Sequence, residues 1–424
     1  MKLTKRLVYF FLFFGLSVFA QKATISEVII QGAQKTSHNL IRSIISTKSG
    51  IVLDSTAIAK DITLLKRLPA FNHVYYQVIA DKNQKYIVKI GVDENFTIIP
   101  DINVWTTTND VFSYKLGLYD YNFLGKNIAF GGFYQYNGFD SYGINFRAPN
   151  LFSKKWGLAV NHQNWKSEEP LFFGNQTANY LYNNISYEAL ALYQINLQHE
   201  IDFGINYFSE KYLYLSGDTS PEVPLNLDLD KTLLKFVYSY NNLKYYYQYV
   251  NGFKSKLYVQ YVTTTNDFQN DFLIAWNDFF YYKRLGKKGN FANRLRLGLA
   301  SNEDSPFAPF ALDNNLNLRG VGILVDRGTG VVVLNSEYRH TVYDKKWLAI
   351  QTNVFTDLGS WRNPGGELSD IIQGENVRAF AGVGLRVISK KVYNATFRVD
   401  YGFSLVNKFN GSRGGLVFGV GQYF

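Results

Sequence analysis

From about residue 97 onward the chain alternates apolar and polar positions with a period of two. That spacing sends successive side chains of a β-strand to opposite faces. Val332, Leu334, Ser336 and Tyr338 share one face, with Asn335, Glu337 and Arg339 on the other. Ile350, Thr352, Val354 and Leu358 oppose Gln351, Asn353, Phe355, Asp357 and Gly359, and Phe397, Val399, Tyr401 and Phe403 oppose Thr396, Arg398, Asp400 and Gly402. The pattern predicts strands near residues 97–106, 111–121, 127–137, 141–148, 155–165, 179–191, 194–208, 231–241, 253–264, 271–283, 290–300, 331–340, 347–358, 379–388, 394–404 and 414–424. One face is apolar and aromatic and the other polar and charged, so the expected fold is mainly β, a transmembrane antiparallel barrel. At roughly 20 residues per strand plus connection, residues 96–424 suffice for about 16 strands. The polar stretches 210–230, 301–330 and 360–377 are expected to be extracellular loops.

Residues 22–95 follow a different rhythm. Ile58, Ile62 and Leu65 recur at i, i+4 and i+7 until Pro69 stops the run, and Asp54 or Ser55 caps its start. A shorter helix begins at Thr36 or Ser37 and runs through Ile45. With strands at Thr24–Ile30, Val74–Ala80 and Lys85–Val92, the order is β-α-α-β-β, a small α+β module with both helices on one face of its sheet. Ahead of it, Lys2, Lys5 and Arg6 precede an apolar run from Leu7 to Leu16 and the stretch Ser17-Val18-Phe19-Ala20. This reads as a secretory signal peptide over residues 1–20, with the mature chain starting near Gln21.

Composition narrows the class. The chain has 424 residues, 32 Tyr, 34 Phe and no Cys, and its mean hydropathy is −0.15. Helical membrane spans need about 20 consecutive apolar residues, whereas a barrel with a wet lumen and aromatic girdles accommodates this balance. The formal charge of +10 includes the signal segment, and no clustered basic stripe points to nucleic acid. The five histidines, His38, His73, His162, His199 and His340, are scattered singly. Neither a zinc-protease nor a nucleophile-elbow motif occurs. No enzyme activity, cofactor or metal is expected.

Two features carry candidate function. Leu318-Arg319-Gly320 lies in a long polar loop ahead of the two strands bearing Glu337 and Asp357. A guanidinium in a barrel lumen has to be paired or solvated, and its planar fork matches a carboxylate. The presumed first strand contains Pro100, which removes a ladder donor, and the last contains Gly414, Gly415, Gly419 and Gly421. A seam between two such strands is expected to be weaker than its neighbours.

Together these elements resemble a known superfamily. The β-α-α-β-β module after a signal peptide resembles a POTRA domain. The barrel resembles the bacterial surface antigen barrel of outer-membrane protein assembly factors and two-partner-secretion transporters. Leu318-Arg319-Gly320-Val321-Gly322 looks like the superfamily's V-R-G-F/Y motif in the sixth extracellular loop, with Leu318 and Val321 departing from it. Phe355-x-Asp357-x-Gly359 looks like the F-x-D-x-G strand that receives that arginine, and Asn335-x-Glu337-x-Arg339 resembles the strand between. Asn122-Phe123-Leu124-Gly125 resembles a turn of the same superfamily. The resemblance implies an inward loop held by Arg319 to Asp357 with Glu337 as second partner. It further implies a lateral gate at the seam, and a POTRA edge, Thr24–Ile30 or its neighbour, that pairs with client strands. The implied partners are unfolded outer-membrane or secreted polypeptides, the lipid bilayer, and periplasmic chaperones or lipoproteins. The implied location is the Gram-negative outer membrane with the module in the periplasm. The residues themselves leave a different class open, a passive diffusion porin or structural surface barrel.

Overall fold

In the computed structural model the described residues are 23–82, 85–106, 112–173, 176–221, 223–246, 248–264, 270–302, 308–312, 317–321, 326–392, 395–406 and 414–421. The expected signal peptide, Gly322 and the chain's last three residues lie outside them. The N-terminal module consists of β1 (Thr24–Gln31), α1 (His38–Ile44), α2 (Ser55–Leu65), β2 (Phe71–Ala80) and β3 (Lys85–Glu94). Its sheet has the order β1-β3-β2, with β1 parallel and β2 antiparallel to β3. The i, i+4, i+7 stripe of α2 is the reason it forms. Ile58, Ile62 and Leu65 are buried against Ile41 and Ile44 of α1 and against Val88, Ile90 and Val92 of β3. Asp54 caps α2 by accepting from the Thr56 amide at 2.8 Å, and the helix ends ahead of Pro69.

Asp61, on the buried side of α2, ties down the connection between the helices. Its carboxylate accepts from the backbone N–H and the hydroxyl of both Ser46 and Thr47. Residues 50–53 then take up one end of β1, where the Ile25 amide donates to the Ile51 carbonyl and the Gly50 amide to the Ile25 carbonyl. The open long edge of this sheet is therefore β2. Tyr75, Tyr76, Val78 and Ile79 on β2 are all exposed.

The remaining chain forms the strands β4 (Ile98–Thr106), β5 (Phe112–Phe123), β6 (Ile128–Tyr136), β7 (Asp140–Ala148), β8 (Trp156–Phe173), β9 (Gln176–Gln194), β10 (His199–Gly217) and β11 (Asn226–Asn241). After the short β12 (Lys244–Tyr246) come β13 (Tyr249–Thr264), β14 (Phe272–Leu285) and β15 (Gly289–Ala300). The next connection carries a ribbon of β16 (Phe310–Ala311) and β17 (Arg327–Gly328). The barrel resumes with β18 (Gly330–Asp344), β19 (Leu348–Arg362), β20 (Val377–Ser389), β21 (Thr396–Val406) and β22 (Gly414–Val420). Without β12 and the ribbon, sixteen antiparallel strands close the barrel, β22 meeting β4.

The alternation sorts side chains as its period demands. Leu118, Ile144, Phe203, Leu234, Val354 and Val399 are exposed on the outside, while Asp202, Asp278, Arg294, Asn335, Arg386 and Asp400 are buried inward. An apolar exterior around a polar interior is the arrangement of a membrane-spanning barrel. None of the described helices is long and apolar enough to cross a membrane.

Strand ends depart from the alternation's forecast on one side. β10 runs to Gly217 and β11 begins at Asn226, so much of the stretch 210–230 is sheet, leaving a connection of 218–225. β8 likewise continues to Phe173 and β9 begins at Gln176. Spanning a bilayer takes about 9–11 residues, and β8 to β11 have 16–19, so they project beyond it. Their upper parts read as loop because they are polar, but those charges are matched across strands, Lys211 with Asp228 and Lys231 with Glu210. Inside the projection Leu171, Tyr180, Tyr212 and Val223 form a small apolar cluster.

The module sits at the end of the barrel formed by the short turns. The Ser37 amide donates to the Gly125 carbonyl at 2.9 Å, and Asn122 Nδ2 donates to Thr36 Oγ1 at 3.0 Å. Gly125, with a φ of +68°, brings its α-carbon so close to Lys35 that a β-carbon there would lie 2.2 Å from the Lys35 carbonyl oxygen. The connection between β15 and β18 therefore lies at the opposite end.

Replacing Asp61 by Ala strands two backbone donors and two hydroxyls in the module, at a cost of about 1–3 kcal/mol for each buried group left unpaired. Limited proteolysis of the full chain should show much faster cleavage within residues 23–95, with the barrel's resistance unchanged.

Candidate functional site

Arg319 is fully buried inside the barrel, and the loop that carries it is folded inward. Asp357 on β19 binds it in fork fashion, with Nε to Oδ2 and Nη2 to Oδ1, both at 2.9 Å. The Arg319 amide also donates to Asp357 Oδ2 at 2.9 Å, so one carboxylate fixes side chain and backbone together. Arg319 Nη1 donates to Glu337 of β18, and its guanidinium lies over the Phe355 ring, 3.7 Å from the centroid.

The wall behind is a larger ionic cluster. Glu337 also accepts from Arg339 Nε and from both terminal nitrogens of Arg386 on β20, so three guanidiniums converge on it. Asp400 on β21 lies 3.9 Å from Arg319 Nη1 and accepts from Asn353 Nδ2 at 3.0 Å and from Arg398 at 3.3 Å. Isolated, any of these buried charges would be costly; mutual pairing with good geometry is what permits them. Sequence reasoning placed Arg398 and Asp400 on an inward face without a role and missed Arg386. Their signal was only the polar parity of their strands, since the adjacency to Glu337 and Arg319 arises from barrel register.

Glycines provide the clearance that lets the loop reach the wall. At Gly359 a β-carbon would lie 2.7 Å from Leu318, which is fully buried with Leu312. The three positions of the Phe355-x-Asp357-x-Gly359 pattern thus stack on Arg319, bind it, and seat the residue before it. Gly320, with a φ of +98°, rests on the backbone of β21, where a β-carbon at Gly402 would meet the Arg319 carbonyl oxygen at 2.3 Å.

The five seam candidates are not gathered in one place. Pro100 is exposed and in register with Leu118 of β5. Gly414 and Gly415 pair with Phe403 and Gly402 of β21, and the nearest atoms around Gly415 belong to Gly320 of the inward loop. Gly419 faces Asn103 of β4, and Gly421, with a φ of +103°, follows the end of β22. Among the described residues β22 and β4 are in register at Phe418 and Val104 alone. By contrast, β22 pairs with β21 from Gly414 to Val420, and β4 with β5 from Ile98 to Thr106.

At the outer end the return of the loop is held on two sides. Arg327 pairs with Glu169 of β8, and Asp326 pairs with Arg378 at the start of β20, Oδ2 to Nε at 3.0 Å. Burial pushes the Asp326 carboxyl up to about 6, against the pull of the Arg378 guanidinium beside it.

A barrel that crosses the membrane on sixteen strands, carries an α+β module at its turn end and holds an arginine-anchored loop inside defines a class of outer-membrane protein with a periplasmic soluble domain. Residues 23–95 match the POTRA family model, described as the surface antigen variable number repeat, so the module is a POTRA domain. A search of curated protein sequences found no significant match. Among solved structures, the chain is similar to BamA from Haemophilus ducreyi lacking POTRA domains 1–3, at 16% identity over 94% of this chain and 84% of that one, with a TM-score of 0.58. It is similar as well to CdiB from Acinetobacter baumannii, at 13% identity over 94% and 73% of the two chains with a TM-score of 0.60. For CdiB from Escherichia coli the identity is 9%, the coverages 94% and 76%, and the TM-score 0.64. The protein shares the POTRA-plus-barrel fold of these structures.

Two outcomes follow from this geometry. Arg319→Ala removes one partner of a buried network, a loss of about 3–5 kcal/mol, while the closed ladder persists. The variant should keep the heat-modifiable gel mobility of a folded barrel yet show larger and noisier conductance in planar bilayers. Arg319→Lys, which cannot bind bidentately, should behave similarly. The second concerns pH. When the loop's return lifts into water, Asp326 titrates at its ordinary value of about 3.9, below its buried value. The buried arrangement therefore binds the proton more tightly and gains stability as pH falls from about 6 toward 4. Current fluctuations should be rarer at pH 5 than at pH 8, and Asp326→Asn should flatten that difference.

Proposed function

We propose that this protein inserts polypeptides into the outer membrane or passes them across it, without enzymatic chemistry. The observation that carries the reading is the seam between β4 and β22, where the described residues are in register at the single pair Phe418 and Val104. Unpaired strand edges recruit other strands, and a client segment adding to either edge would replace missing backbone hydrogen bonds by β-augmentation. The exposed edge of β2, with Tyr75, Tyr76, Val78 and Ile79, supplies a first pairing surface on the periplasmic side. The anchored loop serves this reading in two ways. It fills the lumen beside the seam, and its tip Gly320 lies against Gly415 of β22, supporting the strand that would let go. The fold's likeness to BamA and CdiB favours polypeptides as the cargo. A passive porin accounts less well for a lumen in which a buried arginine holds a loop across the wall.

The chain contains no cysteine, so Val104→Cys with Phe418→Cys introduces one unambiguous disulfide at the seam. In liposomes holding the full mature chain, folding of a urea-denatured outer-membrane barrel, followed by protease protection, should be accelerated by the native protein. It should fall to the rate of empty liposomes in the oxidised double variant and return on reduction. Equal acceleration with the seam locked would remove the gate. No acceleration by the native protein, with a steady conductance, would leave a pore.

A further inference from the structure

Charge is divided unevenly between the two ends of the barrel. The seven turns at the POTRA end, residues 124–127, 149–155, 195–198, 242–248, 286–288, 345–347 and 390–395, hold ten lysines and no Asp or Glu. In the connections at the opposite end carboxylates outnumber basic residues. Six of the ten lysines fall in three turns that are neighbours around the rim, since β15 pairs with β18 and β19 with β20. They are Lys287-Lys288, Lys345-Lys346 and Lys390-Lys391, pairs far apart in sequence that closure of the barrel sets side by side. Backbone bonds tie these turns together: the Thr341 amide donates to the Lys288 carbonyl at 2.9 Å, and the Lys390 amide to the Trp347 carbonyl at 3.0 Å. Lys287, Lys288, Lys345, Lys346 and Lys391 are exposed. Asp344, at the end of β18, accepts from Lys390 Nζ and from Gln248 Nε2, the latter at 2.8 Å, so it offsets one of the six charges.

We propose that this arc binds the headgroups of anionic phospholipids in the periplasmic leaflet of the membrane. Like charges held this close raise the local potential and draw anions to it. Membrane depth selects which anion. Tyr281 of β14, Tyr343 of β18 and Trp347 are exposed at the same rim, and Trp and Tyr so placed lie at headgroup level. Trp347 follows Lys346 directly. Leu285, exposed on the same face of β14 as Tyr281, precedes Lys287 by two residues, about 7 Å of strand. The ammonium groups, on flexible four-carbon stems, therefore reach the layer that holds the lipid phosphates, where polybasic surfaces attract anionic lipid. A soluble acidic partner would use the charge and leave the aromatic belt without a role. Binding here would fasten the β14 to β21 wall to one leaflet, whereas on the β4 to β6 side the turn at Gly125 meets the POTRA domain. Such binding needs only the orientation of the barrel, and holds whether or not polypeptides are its cargo.

In a chain without cysteine, Leu285→Cys accepts a single fluorophore beside the arc. The labelled full mature chain is reconstituted in phosphatidylcholine vesicles that contain, at equal mole fraction, either phosphatidylglycerol or phosphatidylcholine bearing a nitroxide near its headgroup. Phosphatidylglycerol should quench with an apparent affinity roughly threefold higher or more. That preference should vanish at about 1 M salt, where the screening length falls to about 3 Å. Replacing Lys287, Lys288, Lys345 and Lys346 together by Gln should abolish it, while the gel mobility stays that of a folded, heat-modifiable barrel. If the fourfold variant does not fold, Lys287→Gln with Lys288→Gln, and Lys345→Gln with Lys346→Gln, should each lower it. Equal quenching by the two lipids would overturn the proposal and leave the lysines to a soluble acidic partner. A preference that survives the lysine replacements, or high salt, would overturn it as well.

Discussion

A charged guanidinium with no access to water is the constraint around which this barrel is arranged. Arg319 is fully buried, and a cation in that position is tolerable only where carboxylates, rings and backbone acceptors replace the hydration it has lost. Asp357 and Glu337 provide the charge and Phe355 a π-face, while Arg386 and Arg339 pair in turn with Glu337 and Arg398 with Asp400. Four consecutive barrel strands contribute to that shell. Their register is thereby pinned by side chains as well as by the backbone ladder, because a slip of one residue would turn every charge toward lipid.

The same wall shows why close approach matters as much as charge. The loop could not lie this near to β19 and β21 if Gly359 and Gly402 carried side chains. Stiffness is therefore concentrated in β18 to β21, while the neighbouring junction of β22 with β4 has one registered pair among the described residues. The anchored wall and that junction are one strand apart, and Gly320 of the loop lies beside both Gly402 of β21 and Gly415 of β22.

Much of this was legible along the chain, for definite reasons. Period-two alternation exposed all sixteen barrel strands because each divides lipid from lumen, and the Ile58, Ile62, Leu65 stripe exposed α2 because its core lies on one side. Arg319, Asp357 and Glu337 stood out through the order of loop and strands. The upper parts of β8 to β11 were hidden, because above the bilayer an outward-facing residue need not be apolar; Lys211 and Asp228 look like loop residues until their pairing is seen. Arg386 was hidden too, since its meeting with Glu337 depends on curvature across two intervening ladders. The tie between Thr36 and Asn122 joins residues far apart in sequence, and no local pattern announces it.

That tie has a mechanical consequence. The POTRA domain is fastened on the β4 side of the β4–β22 junction: β3 leads within a few residues into β4, and Thr36 and Ser37 are fastened to the turn after β5. Across the gap stands a lighter link, the Phe96 amide to the Lys391 carbonyl at 3.3 Å in the turn between β20 and β21. If the proposed seam opens, the domain would travel with the β4 to β6 strands, as a handle does with its door. In the proposed gating, a pull on the handle would load the link at Phe96.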